Sequence, residues 1–247
     1  MNAPRGISYP TYLELDSLLG LQRPQSTPQH PDELLFIVVH QASELWFKVL
    51  LHEFDQLITQ LQAFDTEGAL TTMQRINTLV ELVGHELGAL DTLPPQRFMQ
   101  FRGYLGTSSG SQSAQFRAIE ATSGLRDPHF MAALKEHGEL PPLVARALER
   151  PTLQALLLSL LEKKGVTLEA LYTESGHGLL QMLAESFLAY EQGFARWRFL
   201  HVQLVERIIG PDTGGTGGTL GARYLQKTIS QRFFPELWAV RARLYGL

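Results

Sequence analysis

One periodicity limits what this chain can become. Between residues 34 and 61, Phe36, Val39, Phe47, Leu50, Phe54 and Leu57 recur at helical spacing and set an apolar stripe along one face of an α-helix. Pro31, Asp32 and Glu33 stand just ahead of it, where acids face the positive end of the helix dipole. The same period returns downstream. It predicts a helix over 72–90, closed by Asp91 and the Pro94-Pro95 pair, and another over 112–121 behind a Ser/Gly-rich loop. A helical stretch over 141–161 is interrupted near Pro151. One or two long helices cover 167–209, with Leu179, Leu183, Phe187, Tyr190 and Phe194 along one face. A glycine-rich loop over 210–221 precedes a broken helix over 224–244. Alternating β-branched runs bounded by tight turns are missing. With no internal repeat and no long linker, the expectation is a single all-α domain over 1–247.

Composition bounds the function. Apolar residues make up 44% of the 247, enough for a sizeable core. Charged residues make up 19%, below the usual quarter. That deficit fits a chain burying extra surface against a cofactor or other subunits, and equally an ordinary large core. A net charge of −4 offers no general basic character to a nucleic acid, so none is expected as a partner. The absence of cysteine excludes disulfides, thiolate metal sites and cysteine nucleophiles. Residues 1–12 carry one Arg and no apolar run, unlike a secretory leader. No stretch reaches the roughly 18 uninterrupted apolar residues of a membrane span. A cytoplasmic protein with no membrane partner is therefore expected.

Of eight histidines, six have plain readings. His30, His129, His137 and His177 sit beside Pro, Gly or charged residues, as loop and surface groups do; His52 and His85 lie beside acids on helices. His40 and His201 differ. His40 shares a helical face with Phe36, Ser43 and Phe47, and His201 with Trp197, Leu204, Val205 and Ile208. An imidazole on an apolar stripe is either a satisfied core histidine or a ligand beside an apolar cofactor, such as a metal-bearing macrocycle. Two further features are open in the same way. The loop from Gly214 through Thr216 to Thr219 lacks the strand and lysine of a phosphate-binding loop. It reads as a lid over a small substrate or as a plain connector. Arg102 sits among Phe98, Phe101 and Leu105 and needs an anionic partner, either an acid of the fold or a substrate carboxylate gripped by its fork.

Taken together, four blocks in order make the chain resemble tryptophan 2,3-dioxygenases. They are Tyr9 to Gln22; Asp32-Glu33 with Leu35 to Lys48; Phe101-Arg102 with Leu105 to Arg117; and Trp197-Arg198, His201-Val202, Val205 to Gly210, Gly215 to Thr219 and Tyr224-Leu225. They span nearly the whole chain. The resemblance implies an all-helical fold of the tryptophan 2,3-dioxygenase/indoleamine dioxygenase type with haem b between helices. It implies insertion of O2 across the indole C2–C3 bond of L-tryptophan, giving N-formylkynurenine. By the same resemblance, His201 is the proximal haem ligand and His40 the distal histidine beside O2 and the indole nitrogen. Phe36 and Phe98 line the indole pocket, Arg102 grips the carboxylate, and Thr216 meets the amino-acid end. Ser109 lies near haem and substrate. Tyr9, Tyr12 and Leu13, within an N-terminal segment over 1–22, reach a neighbouring subunit's site, which implies a homo-oligomer, a tetramer in the family.

The chain also departs from the family pattern. Ser111 stands where Phe usually follows Ser-Gly, the segment 210–216 is one residue longer and lacks a common Lys, and the chain is short, which implies trimming between the third and fourth blocks. Two rivals follow: a related haem enzyme acting on a modified tryptophan or other aromatic amino acid, and a non-catalytic haem sensor or carrier. An arginine and a glycine lid over the haem argue against the second.

Overall fold

In the computed structural model, which describes residues 6–126, 140–214 and 221–246, every regular element among the described residues is helical. The leading periodicity becomes α3 (Glu33–Gln62), preceded by two short helices, α1 (Tyr9–Tyr12) and α2 (Leu15–Leu19). α4 (Thr66–Glu86) begins before the expected residue 72 because Asp65 caps it, its carboxylate accepting the Gly68 N–H at 3.0 Å. It also stops early, tightening into a 3-10 turn over Leu87–Thr92 ahead of the prolines. α5 (Pro95–Arg102), too short to show a period, starts with Pro95, whose missing N–H costs nothing in a first turn. α6 (Ala114–Ser123) follows Ser113, which accepts the Phe116 N–H at 3.1 Å. The expected interruption lies between α7 (Pro142–Glu149) and α8 (Leu153–Lys163). After α9 (Ala170–Thr173) comes α10 (Gly178–Ile209), unbroken over 32 residues, then α11 (Ala222–Thr228) and α12 (Pro235–Leu244).

Three long helices position the site. α4 runs back along α3: Arg75 Nη1 donates to Glu53 at 3.1 Å near one end, and Ser43 Oγ to Glu86 at 2.5 Å near the other. α10 then runs parallel to α4, with Asn77 Nδ2 donating to the Ser186 carbonyl at 3.1 Å. Further along, a Cβ at Gly193 would sit 2.9 Å from Val80, so glycine is what lets these two helices approach. Leu50, Phe54 and Leu57 of α3, Ile76 of α4, and Phe187 and Tyr190 of α10 are buried in one cluster between them. Each such side chain contributes about 1.5–3 kcal/mol on burial.

Buried charge ties on the outer elements. Arg198 of α10, only 3% exposed, donates to Glu120 of α6 at 3.0 Å, and Glu120 also accepts from Arg117 at 2.6 Å. Glu191 accepts from the backbone N–H of Phe233 and Phe234 and from Trp238 Nε1, which holds the C-terminal helix against α10. By length and composition alone α3 could cross a membrane. Its apolar run is nevertheless broken by Glu44 and Lys48, and its Leu50, Phe54, Leu57 and Leu61 are core residues.

Candidate active site

His40 lies on the first half of α3, and its Nδ1 is 2.7 Å from the Phe36 carbonyl one turn earlier. A carbonyl only accepts, so the neutral ring carries its proton on Nδ1 and leaves the Nε2 lone pair free. Solvent reaches this ring from one side, yet the protein packed around it disfavours the cation. Burial lowers the pKa, and the Phe36 carbonyl and Glu44 oppose that only in part.

His201 lies near the far end of α10, half-buried and stacked on Trp197 one turn earlier, with centroids 5.4 Å apart. Burial pushes its pKa down to about 4, and a charge on His40 would push it further. The two imidazoles therefore lie near enough to sense one another, where Val39 of α3 joins Leu204 and Ile208 of α10 in one apolar cluster, and both are neutral at pH 7. No acid among the described residues pairs with His201.

The side chains around the pair are apolar. On one side the Phe36 ring lies 4.3 Å from His40, 5.5 Å from Phe98 and 5.8 Å from Phe101, which brings α5 against α3. On the other, Trp197 lies 5.0 Å from Phe116 and 6.4 Å from Phe47. Val39, Leu204 and Ile208 join Phe98 and Phe101 in one cluster. The sequence reading placed Trp197 on the His201 face but gave no role to Phe116; an aromatic one helix away leaves no mark in local periodicity.

Arg102 ends α5, half-buried, and its Nη2 donates to the Gly214 carbonyl at 2.6 Å. Among the described residues no Asp or Glu pairs with it, so of the two partners foreseen the acid of the fold is not found there. Gly214 stands at the edge of the glycine loop; Thr216 lies outside the described residues. Ser109 sits in a capping box, accepting the Ser111 N–H at 3.3 Å while Gln112 Oε1 accepts the Ser109 N–H at 3.2 Å. The unusual Ser111 is part of this box, its hydroxyl 2.9 Å from that of Ser109.

The remaining candidates stand apart. Tyr9 and Tyr12 are 72% and 74% exposed on α1, and Leu13 beside them is exposed too, so a single chain leaves them in solvent. His52 and His85 are exposed, as expected, and His177 lies 3.7 Å from Glu174. His129 and His137 lie outside the described residues. His30 does sit in a loop, but it bonds across to α5.

A neutral imidazole with no acid of the described residues against it, stacked on Trp197 and near a second neutral imidazole, fits the donor set a haem iron takes. Among the described residues no three His, Asp or Glu side chains converge as a bare ion would require. Fold and site together define an all-helical enzyme organised about a pair of neutral imidazoles. The family model for tryptophan 2,3-dioxygenase matches residues 2–137 and 152–244. The chain is similar to the tryptophan 2,3-dioxygenase of Anaeromyxobacter dehalogenans, 39% identical over 96% of either chain. It is 38% identical to that of Herpetosiphon aurantiacus, over 97% of this chain and 99% of the relative, and 37% identical to that of Bacillus thuringiensis, over 96% and 93%. The chain belongs to the tryptophan 2,3-dioxygenase family. The alignments run over 261 to 265 positions against the 247 residues of this chain, which agrees with a chain somewhat shorter than its relatives.

Proposed function

We propose that this protein opens the indole ring of L-tryptophan, inserting both atoms of O2 across the C2–C3 bond to give N-formylkynurenine. It does so as one helical domain over 1–247 in a cytoplasmic homo-oligomer, a tetramer, with haem b between α3 and α10. The observation that carries the reading is the neighbouring pair of neutral imidazoles, His201 stacked on Trp197 and His40 held by the Phe36 carbonyl.

In this reading His201 holds the iron through a lone pair that its depressed pKa keeps free of a proton at pH 7. When bound, ferrous haem supplies the activation of O2. The chain's own residues do the rest. His40 offers the Nε2 lone pair to the indole N–H and so orients the ring. It acts as a hydrogen-bond acceptor, because the indole proton is too weakly acidic for a neutral imidazole to remove. Phe36 and Phe98 pack against the indole and exclude water. Arg102 exchanges the Gly214 carbonyl for the substrate carboxylate, a charge-assisted bond worth about 1.5–3 kcal/mol. Ser109 sits near haem and substrate, and Thr216 meets the amino-acid end. Tyr9, Tyr12 and Leu13 complete a neighbouring subunit's site, for which their exposure leaves them available.

The test is haem reconstitution followed by turnover. Purified protein with haem, reductant, O2 and L-tryptophan should show a Soret band and yield N-formylkynurenine carrying both oxygen atoms of labelled O2. A Soret band without product would point to a carrier, and its absence would remove the haem reading.

A further inference from the structure

The loop ahead of α3 is built around one buried carboxylate. Glu33 is 1% exposed and accepts from the Gln25 N–H at 2.6 Å, the Ser26 N–H at 3.0 Å and the Ser26 hydroxyl. Ser26 Oγ in turn accepts the His30 N–H at 2.8 Å. The turn that this network fixes is pressed against α5 at three separate points. Asp32 pairs with Arg97 Nε at 2.6 Å, the Tyr104 hydroxyl just past α5 donates to the Thr27 carbonyl at 2.8 Å, and His30 reaches Gln100 in the last turn of the helix.

The His30 contact is the specific one. Its Nδ1 accepts the Asp32 N–H at 3.2 Å, so the neutral ring carries its proton on Nε2. That Nε2–H donates to Gln100 Oε1 at 2.9 Å, and the ring lies 5.2 Å from Phe101. Gln100 and Phe101 immediately precede Arg102, and Phe101 also packs against Phe36. The last turn of α5 is thus contacted by both the His30 ring and the Phe36 ring. A bidentate carboxylate grip tolerates little displacement of the guanidinium.

We infer that His30 is a positioning residue for substrate binding: by bridging to Gln100 it fixes the last turn of α5, and with it the direction of Arg102. This rests on the reading of Arg102 as the carboxylate grip. The bridge can be tested with three substitutions in the full-length holoenzyme. His30→Ala removes both ring bonds, His30→Asn can restore only the local bond to the Asp32 N–H, and His30→Gln can restore only the bond to Gln100. The expected result is a rise of about fivefold in KM for L-tryptophan with His30→Ala and His30→Asn, with kcat within about twofold, and a KM near native for His30→Gln, the scale of one net hydrogen bond. Haem content and helical signal should not change. An unchanged KM in His30→Ala, a fall in kcat alone, or a His30→Gln enzyme no better than His30→Asn would overturn the inference. Combining His30→Ala with Arg102→Lys separates the two readings. If His30 acts through Arg102, the KM effects do not multiply; if they multiply, His30 does not act this way. A native KM in Arg102→Lys alone would instead remove the carboxylate reading and leave the His30 result standing by itself.

Discussion

The Nδ1 of His40 lies 2.7 Å from the carbonyl of Phe36, so the helix itself decides which nitrogen of the ring keeps a free lone pair. The backbone thus does the work that a buried carboxylate does for many functional histidines, without adding charge. The consequence is a ring suited to accept an N–H. His40→Ala should retain haem and helical signal but lose about five- to tenfold in kcat/KM for L-tryptophan, the worth of one neutral hydrogen bond. With 1-methyl-tryptophan, which has no indole N–H, native and variant enzymes should differ little. An equal loss with both substrates would show that His40 acts by packing.

His201 carries the cofactor prediction. Its ring is neutral and stacked on Trp197, and no acid of the described residues competes for it. His201→Ala should abolish the Soret band on reconstitution or leave a weak, shifted one, while the melting profile of the haem-free protein changes little. Haem content and spectrum equal to the native protein's would sink the assignment.

How much of this was legible beforehand depended on range in the chain. The stripe through Phe36, Phe47, Phe54 and Leu57 marked α3 because helix periodicity is local, and the same holds for Leu183, Phe187 and Tyr190 on α10. The start of α4 at Thr66 was missed because the Asp65 cap precedes a weakly apolar first turn. The short α5 offers too few turns for any period. Pairings between distant segments were not legible at all. Nothing near Glu120 announces Arg198, and nothing near His30 announces Gln100. The roles of His40, His201 and Arg102 came from resemblance, since spacing alone left each with a bland alternative.

The N-terminal arm makes a prediction about assembly. Ile7, Tyr9, Tyr12, Leu19 and Leu21 are all more than half exposed, while Gln22 fastens the arm's end to Gln41 at 2.6 Å. Exposed apolar groups so close together favour burial against another surface. Deleting residues 1–13 should raise KM for L-tryptophan and leave most of the helical signal. A full-length protein that is monomeric and fully active in solution would contradict this.

The Glu33 carboxylate gives the acid limb of stability a sign. Burial alone would raise its pKa, but the Gln25 N–H, the Ser26 hydroxyl and the Ser26 N–H outweigh that and hold it below the ordinary value. A carboxyl with a depressed folded pKa contributes stability that is fully present above its unfolded pKa of about 4.5 and is lost as pH falls through the folded value. Glu33→Gln should therefore cost about 1.5–3 kcal/mol at pH 7, the scale of a hydrogen bond to a charged group, and flatten the decline in acid. Denaturant titrations of both proteins at pH 7 and at pH 3.5 test this; parallel losses on acidification would remove Glu33 from the account.

Arg102 decides whether the enzyme reads free amino acids. Arg102 is half-buried at the end of α5, and its one partner among the described residues is a backbone carbonyl. A carboxylate would supply an opposite charge and a second, parallel hydrogen bond. Arg102→Lys keeps the charge but loses the planar fork, so it should not rescue function. The expected loss in kcat/KM for L-tryptophan is at least about tenfold, since one charge-assisted bond is worth more than about 1.4 kcal/mol. Tryptamine, which has no carboxylate, should be a poor substrate for the native enzyme and lose little further in the variant. The measurement is a two-by-two comparison of the native and Arg102→Lys holoenzymes with L-tryptophan and tryptamine. A loss confined to tryptophan assigns Arg102 to the carboxylate, whereas equal losses would mean that it supports the glycine loop through Gly214 and does not touch the substrate.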